Sequence, residues 1–454
     1  MVVTTEPCQL DLFQLLQPVT PKIPQKKFTF IDLFAGIGGF RIPLEQLGGT
    51  CLGYSEIDKS AIQVYQQNFI QSADSHDSYL GDVQALHKLP FDVDLIVGGV
   101  PCQPWSIAGK LKGLEDYRGQ LWLDVFRLVK VNQPKAFIFE NVKGLLEPRN
   151  RSSLEFILRS FAESGYVVKY QVLNSYDFGL PQDRDRIFIV GIREKRDNAW
   201  GFTFPKPLDK KVKLYDVISG IERYELIKKK FPPEVLYSNG KIPPSRGRFQ
   251  KVDELNDFFT FADIRDGHTT VHSWELIETT QREKQICQTL LKNRRKKIYG
   301  SKDGNPLTFK NLKDLISDLE VTELEKLIEK DILKFQEGYI FVNSKISSGI
   351  NGVCKIYLPH ADAVGTLTAT GTRDYIATIP FKCQDPKTYK KEFIQTIYKP
   401  VNYKSLTAKD YAKLQGFPES FKIAENESKA KHQFGNAVSV PVGYYLGKEL
   451  LKFI

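Results

Sequence analysis

The residue best placed to do chemistry is Cys102, in the run Gly98-Gly-Val-Pro-Cys-Gln-Pro-Trp-Ser. The apolar segment Val93 to Val97 just before it reads as a strand, which puts the thiol on a loop at the carboxyl edge of a sheet. A thiolate there is a soft nucleophile, although a lone cysteine is also commonly a small buried hydrophobe. The next apolar run, Ala136 to Phe139, ends in Glu140-Asn-Val and brings a carboxyl group to the same edge, either as a proton donor or as an exposed cap. Gln182-Asp-Arg-Asp-Arg precedes the run Ile187 to Val190. Alternation along an extended segment points Arg184 and Arg186 the same way, to hold an anion or to make surface ion pairs.

A second group of residues has the chemistry of a ligand cradle. Phe34-Ala-Gly-Ile-Gly-Gly-Phe, with Gly36, Gly38 and Gly39, lies between a predicted strand and a predicted helix. Missing side chains there let a ligand approach the backbone and a helix N-terminus, and a tight strand-to-helix turn gives the same pattern. The spacing is not the dinucleotide Gly-x-Gly-x-x-Gly. Glu56, about 20 residues on, ends the next strand, where a carboxylate accepts from ribose hydroxyls. Asp82, in Gly81-Asp-Val, can accept from an adenine amino group. Together these point to a nucleoside-bearing cofactor without naming it. His268 and His272 are four apart but lack the His-Glu signature of a zinc helix, so no metal is expected.

These residues need a scaffold that gathers strand ends. From Phe28 to about Arg193, apolar runs at Phe28–Phe34, Cys51–Ser55, Val93–Val97, Ala136–Phe139 and Ile187–Val190 alternate with helical patterns at Phe40–Leu47, Lys59–Phe69, Leu121–Val131 and Ser153–Ser164. That rhythm predicts an α/β fold, a doubly wound and mostly parallel sheet that binds ligands at the carboxyl ends of its strands. Beyond about Asn198, proline-rich breaks and the basic clusters Lys228-Lys-Lys and Lys292-Asn-Arg-Arg-Lys-Lys mark a second, smaller domain. Within it a helix starting near Thr322 precedes a hairpin, Ile332–Phe335 and Tyr339–Val342 around Gln336-Glu-Gly. Helix then hairpin is the pattern of a winged-helix element, and equally of a solvated insertion.

The 454 residues suffice for two or three domains, and a formal net charge of +10 favours a polyanionic partner, nucleic acid foremost. Six scattered cysteines without a C-x-x-C pair fit a reducing, cytoplasmic setting better than a disulfide framework. No run approaches the ~20 apolar residues that span a bilayer, and the N-terminal stretch reads as an arm, not a signal peptide.

The ordered motifs resemble one family, the cytosine carbon-5 DNA methyltransferases of bacterial restriction-modification or orphan type. Phe30-Ile-Asp-Leu-Phe-Ala-Gly-Ile-Gly-Gly-Phe is similar to the family's first cofactor motif, Gly98 to Ser106 to its catalytic loop, Glu140-Asn-Val to its acid motif and Gln182 to Arg186 to its paired-arginine motif. Lys413-Leu-Gln-Gly-Phe-Pro resembles the motif that organises the recognition domain, and Gln433-Phe-Gly-Asn-Ala-Val-Ser-Val-Pro the last motif, which returns to the cofactor pocket. Departures are Val100, Trp105, Lys404 and Ile57, the last where tryptophan often sits beside the adenine; none removes a reacting group.

The resemblance implies a Rossmann-like, S-adenosyl-L-methionine-dependent methyltransferase fold. It implies an arm (1–25), a catalytic domain (26–197), a target-recognition region (198–402), an organising motif (403–424) and a C-terminal return (425–454). Cys102, Glu140, Arg184 and Arg186 would be catalytic, and Phe34, Gly36, Gly38, Gly39, Glu56, Ile57, Asp82, Leu121 and Asn436 would hold the cofactor. Gln103, Ser106, Lys110 and Arg118 on a mobile loop, with Thr368 and Gly371 of Thr366-Leu-Thr-Ala-Thr-Gly, would meet DNA. The expected activity is methylation of cytosine at carbon 5 within a short sequence of double-stranded DNA, on a flipped base, by a monomer whose cognate restriction endonuclease acts separately. A transfer-RNA substrate and a DNA-binding regulator with a decayed site are the alternatives. The basic region 198–402 speaks against the first, and intact Cys102, Glu140, Arg184 and Arg186 against the second.

Overall fold

A computed structural model describes residues 27–70, 77–101, 117–194, 199–209, 212–237, 240–242, 253–265, 267–302, 304–343 and 349–454, without the side chains of 117–120. Strict alternation in the strands divides the first core in two. β1 (Phe28–Leu33) sends Phe28 and Phe30 to one face of the sheet and Ile31 and Leu33 to the other. After β2 (Gly49–Ser55), β3 (Ser78–Tyr79) and β4 (Leu95–Gly99), β5 (Ala136–Val142) repeats the division, with Phe137 and Phe139 opposite Ala136 and Ile138. β6 (Tyr166–Asn174), the short β7 (Gln182–Asp183) and β8 (Asp185–Arg193) follow. Burial on both faces is what parallel strands under two layers of helix require.

The seven-stranded sheet runs β3-β2-β1-β4-β5-β8-β6, parallel from β3 to β5, with β8 antiparallel to both β5 and β6. The predicted helices appear as α1 (Arg41–Gln46), α2 (Lys59–Phe69), α3 (Tyr117–Asn132) and α4 (Arg151–Glu163). Asp58 caps α2 by accepting from Ser60 N and Ala61 N. α3 and α4 cover one face, where Trp122 meets Phe139 and Phe161 edge-to-face at centroid distances of 5.9 and 6.2 Å. Such aromatic pairs add about 0.5–1.5 kcal/mol each beyond burial.

Packing divides the chain into two units, Ser219–Ala361 with Thr372–Leu406 forming the second and the remainder the first. The boundary expected at 198 therefore moves to Ser219. Phe202 joins the sheet's core and Leu214 and Val217 of a short helix are buried, so the sequence past 198 still belongs to the first unit.

The second unit has a five-stranded sheet ordered β10-β9-β13-β15-β16, built from β9 (Phe258–Phe261) and β10 (Thr270–Val271) and, later in the chain, β13 (Lys355–Tyr357), β15 (Asp374–Ala377) and β16 (Tyr403–Ser405). Inserted in it are α5 (Gln281–Asn293), α6 (Phe309–Leu315), α7 (Val321–Glu329) and the antiparallel hairpin of β11 (Leu333–Phe335) and β12 (Tyr339–Phe341), with their own core of Ile286, Leu290, Leu312, Leu324, Leu327 and Phe341. The N-cap of α7 is Glu320, not a residue near Thr322, because Glu320 N donates to Glu323 Oε2 at 2.9 Å.

Between β13 and β15 the chain returns to the first unit, where β14 (Val364–Gly365) pairs in parallel with β7. It ends there in α8 (Ala408–Leu414), α9 (Glu427–Asn436) and α10 (Val440–Leu450), whose Val442, Leu446 and Leu450 close the second face of the large sheet. Among the described residues, no helix is long and apolar enough to cross a membrane.

Candidate active site

Register lines up the strand ends. Leu33 pairs with Ser55 on one side and Gly98 on the other, Gly98 with Phe139, Gly99 with Glu140, and Val142 with Arg186. The loops after β1, β2, β4 and β5 thus leave one edge side by side, as the sequence pattern anticipates.

The glycine loop begins with strain. Phe34 has φ +52°, in the left-handed region that costs a non-glycine residue about 1–3 kcal/mol, and such strain clusters at ligand sites. Gly36, also at positive φ, donates its N–H to Glu56 Oε2 at 2.8 Å, while Glu56 Oε1 accepts from the amides of Ile57 and Asp58. Among the described residues, a Cβ at Gly36 or Gly81 would meet nothing within 4 Å, so both backbones border open space there. A Cβ at Gly39, by contrast, would lie 2.7 Å from Val438 O, which explains why only glycine lets the segment after Asn436 approach. Ser55 Oγ donates to Gly81 O at 2.6 Å, and Asp82 accepts from Gln84 N. Ile57 and Tyr79 stand exposed near Glu56, with Tyr79 Oη donating to the Glu56 carbonyl at 3.0 Å. Asn436 is exposed at the end of α9, and Leu121 packs into the core on α3.

Glu140 is buried, with Arg186 Nε 2.9 Å from its Oε1 as an ion pair whose N–H does not aim squarely at that oxygen. Burial pushes the Glu140 carboxyl above its ordinary range, against the opposing pull of the Arg186 and Arg184 charges. Glu140 Oε2 and the side chain of Val438 both lie near Gly99, and Asn141 Nδ2 donates to Val100 O at 3.4 Å, joining the acid motif to the loop that leads to Cys102. Cys102, Gln103, Ser106 and Lys110 lie outside the described residues, as does the side chain of Arg118. Burial raises the thiols of Cys51 (to about 12), Cys287, Cys354 and Cys383, so none of these is poised as a thiolate.

The two arginines do different work, although the charges of both act on Glu140. Arg184 is 1% exposed, its Nη1 donating to Leu367 O at 2.9 Å and its Nη2 to Gly435 O and Ala437 O at 3.0 and 2.9 Å. It clamps backbone, whereas Arg186 reaches the carboxylate. The clamp has partners that sequence reasoning missed. Gln182 donates to Leu414 O and accepts from Leu367 N, and Gln415 donates to Phe434 O and accepts from Ser439 Oγ. Glutamines usually read as surface residues, and only their position inside the paired-arginine and recognition-domain motifs marks them.

Thr366 donates to Asp183 O, and Thr368 Oγ1 donates to Gly371 O at 3.0 Å, leaving Thr368 and Thr370 exposed. His272 stacks on Trp274 with ring centroids 4.2 Å apart, and burial holds its pKa well below the ordinary histidine value. Among the described residues no cluster of His, Cys, Asp or Glu could hold a metal ion.

Residues 28–452 match the family model described as C-5 cytosine-specific DNA methylase. The Type II methyltransferase M.HgiCII of Herpetosiphon aurantiacus is 48% identical over 427 residues, spanning 94% of this chain and 97% of that protein. The Type II methyltransferase M.BanI of Aneurinibacillus aneurinilyticus is 32% identical over 441 residues, spanning 92% and 94%. The crystal structure of the S. pombe Dnmt2 methyltransferase shares the fold, at 16% identity and a TM-score of 0.51, over 94% of this chain and 98% of that one. A carboxylate, a glycine cradle and a paired-arginine strand gathered at one sheet edge, in a chain matched nearly end to end, establish that this protein belongs to the C-5 cytosine-specific DNA methylase family and is a DNA (cytosine-5-)-methyltransferase.

Proposed function

We propose that the enzyme methylates cytosine within one short, specific sequence of double-stranded DNA, using S-adenosyl-L-methionine and a covalent Cys102 adduct on a flipped base. The observation that carries this is Glu140, buried beside Gly99 at the root of the Cys102 loop, ion-paired with Arg186 and with its carboxyl pushed upward by burial. The residues suit the cofactor: Gly36 and Gly81 border open space, Glu56 is held rigidly by three amides, and exposed Ile57 and Tyr79 offer apolar surface to a base. Phe34, Gly36, Gly38, Gly39, Glu56, Ile57, Asp82 and Asn436 would hold it, with Leu121 behind them in the core.

Carbon 5 of cytosine is too weak a nucleophile to take a methyl group directly. Cys102 Sγ adds to carbon 6, and the ring electrons move toward carbon 5. Glu140 donates to nitrogen 3 and offsets the charge this creates, help typically worth about 10²–10⁴ in rate. Arg186 orients Glu140, and Arg184 fixes the backbone around Asn436. The cofactor supplies an electrophilic methyl group on a sulfonium. A base, for which bound water is a candidate, then takes the carbon-5 proton; that electron pair re-forms the 5,6 double bond, the Cys102 thiolate leaves, and nitrogen 3 returns its proton to Glu140. Flipping costs roughly a few kcal/mol, which DNA contacts by Gln103, Ser106, Lys110, Arg118, Thr368 and Gly371 would help offset.

The Type II names of its relatives support a restriction-modification role with a cognate endonuclease acting separately; we further take the methyltransferase to work in the cytoplasm and as a monomer. The test is a duplex whose cytosine carries fluorine at carbon 5. No proton can leave, so a protein–DNA adduct resistant to denaturation should accumulate with the wild type and be absent with Cys102→Ser. Equal adduct in both would remove Cys102 from the mechanism.

A further inference from the structure

The insertion in the second unit has an order and a charge distribution that the reaction leaves unused. Leu307 pairs with Tyr339 through reciprocal backbone hydrogen bonds of 3.2 and 2.8 Å, adding a strand position to the hairpin. The order is therefore helix α5, strand, helices α6 and α7, then hairpin, which is the order of a winged helix. In helix-turn-helix modules the second helix of the motif usually enters the major groove. Here that helix, α7, exposes Glu325 and Glu329 beside Lys326, and the exposed Asp318 and Glu320 before it are ion-paired with Arg282 and Lys313. That face carries no excess of positive charge to hold phosphates.

The positive charge lies elsewhere in the same module. Lys292, Arg295, Lys296, Lys297 and Lys302 are exposed, with no acidic residue between 292 and 302. Lys292, Lys296, Lys297 and Lys302 make no ion pair among the described residues. One or two cations would neutralise the C-terminal end of α5, and five exceed that need. The loop that carries them is rigid. Arg294 is buried over the Phe341 ring, and buried Asn305 donates to Arg294 O and Gly300 O while accepting from Lys302 N. The exposed face of α5 is polar and without acids: Gln281, Gln285 and Gln288 lead to Lys292.

We propose that this module is a DNA-backbone clamp that holds duplex phosphates with the preformed loop Lys292–Lys302 and does not read bases with α7. The proposal rests on the DNA reading above and assigns the module affinity without sequence choice. The test replaces Lys292, Arg295, Lys296 and Lys297 together by glutamine in the full-length enzyme. Binding is measured against salt on two duplexes of about 30 base pairs, one carrying the methylated sequence and one lacking it. Affinity for both should fall by the same factor, at least about tenfold, and the slope of log K against log salt should flatten by up to about 3.6 (about 0.9 for each of the four phosphates no longer neutralised). Turnover at saturating DNA should be unchanged, and so should the thermal midpoint.

An unchanged slope, or weakened binding confined to the duplex carrying the methylated sequence, would overturn the clamp. So would a gain in affinity from Glu325→Gln with Glu329→Gln that matched the drop caused by the loop variant, because α7 would then face the DNA. A wild-type enzyme that methylates no DNA would defeat the underlying reading instead, and the two failures are distinct.

Discussion

Arg184→Lys separates positioning from catalysis. The native guanidinium spreads three hydrogen bonds of 2.9–3.0 Å over the carbonyls of Leu367, Gly435 and Ala437 in a site that is 1% exposed. A lysine keeps the charge but offers one nitrogen, so it can serve one side of the fork and leaves one or two buried carbonyls without a donor. Each unsatisfied carbonyl costs about 1–3 kcal/mol, giving roughly 2–4 kcal/mol after partial relaxation. For a unit of this size that lowers the thermal midpoint by about 5–15 °C. Circular dichroism melting and steady-state methylation, run side by side, give the answer. The structure predicts a clear drop in midpoint, with weaker cofactor binding because two of the released carbonyls flank Asn436. An unchanged midpoint with turnover down more than about 100-fold would refute the reasoning and put Arg184 against the substrate itself.

Glu140→Gln should keep DNA affinity and lose about 10²–10⁴ in turnover, checked by single-turnover methyl transfer; full activity would remove Glu140 from proton donation. Asp32 is fully buried with Oδ2 lacking a hydrogen-bond partner among the described residues, and burial raises its carboxyl well above the ordinary value of 3.8. Its contribution is fully present below that value and is lost as pH rises through the folded pKa, so the advantage of Asp32→Asn over the wild type should be smallest below pH 3.8 and widen as pH rises above it in urea titrations. A constant gap would contradict this. Gly435→Ala places a Cβ 2.4 Å from the Thr368 carbonyl carbon and 2.5 Å from Ala369 N, backbone that cannot swing aside. It should cost about 1–3 kcal/mol in unfolding experiments, and a neutral result would mean that the 366–371 segment yields freely.

The sheet was legible because its strands are buried on both faces and each ends in a chemically distinctive residue. Glu56, Glu140 and the glycine loop could be placed at one edge from sequence alone. β6 was not, because Lys169, Tyr170 and Gln171 leave its middle polar and partly exposed at the sheet's edge. β3, two residues long, carries too little pattern to read. The excursion of 362–371 back into the first unit was equally hidden. It depends on Gln182 and Arg184 reaching backbone atoms far away in sequence, which periodicity does not record. In the sequence alone Arg184 resembles part of an anion site, because a second arginine stands two residues away. Only its burial shows three carbonyls taking its protons.

The most direct test of the central claim is a base-resolution map of 5-methylcytosine in the DNA of cells that lack cytosine methylation of their own and express this protein, beside cells expressing Cys102→Ser. One enriched sequence context is expected with the wild type and none with the variant. Unmodified DNA in cells containing folded wild-type protein, or the same marks from Cys102→Ser, would contradict it.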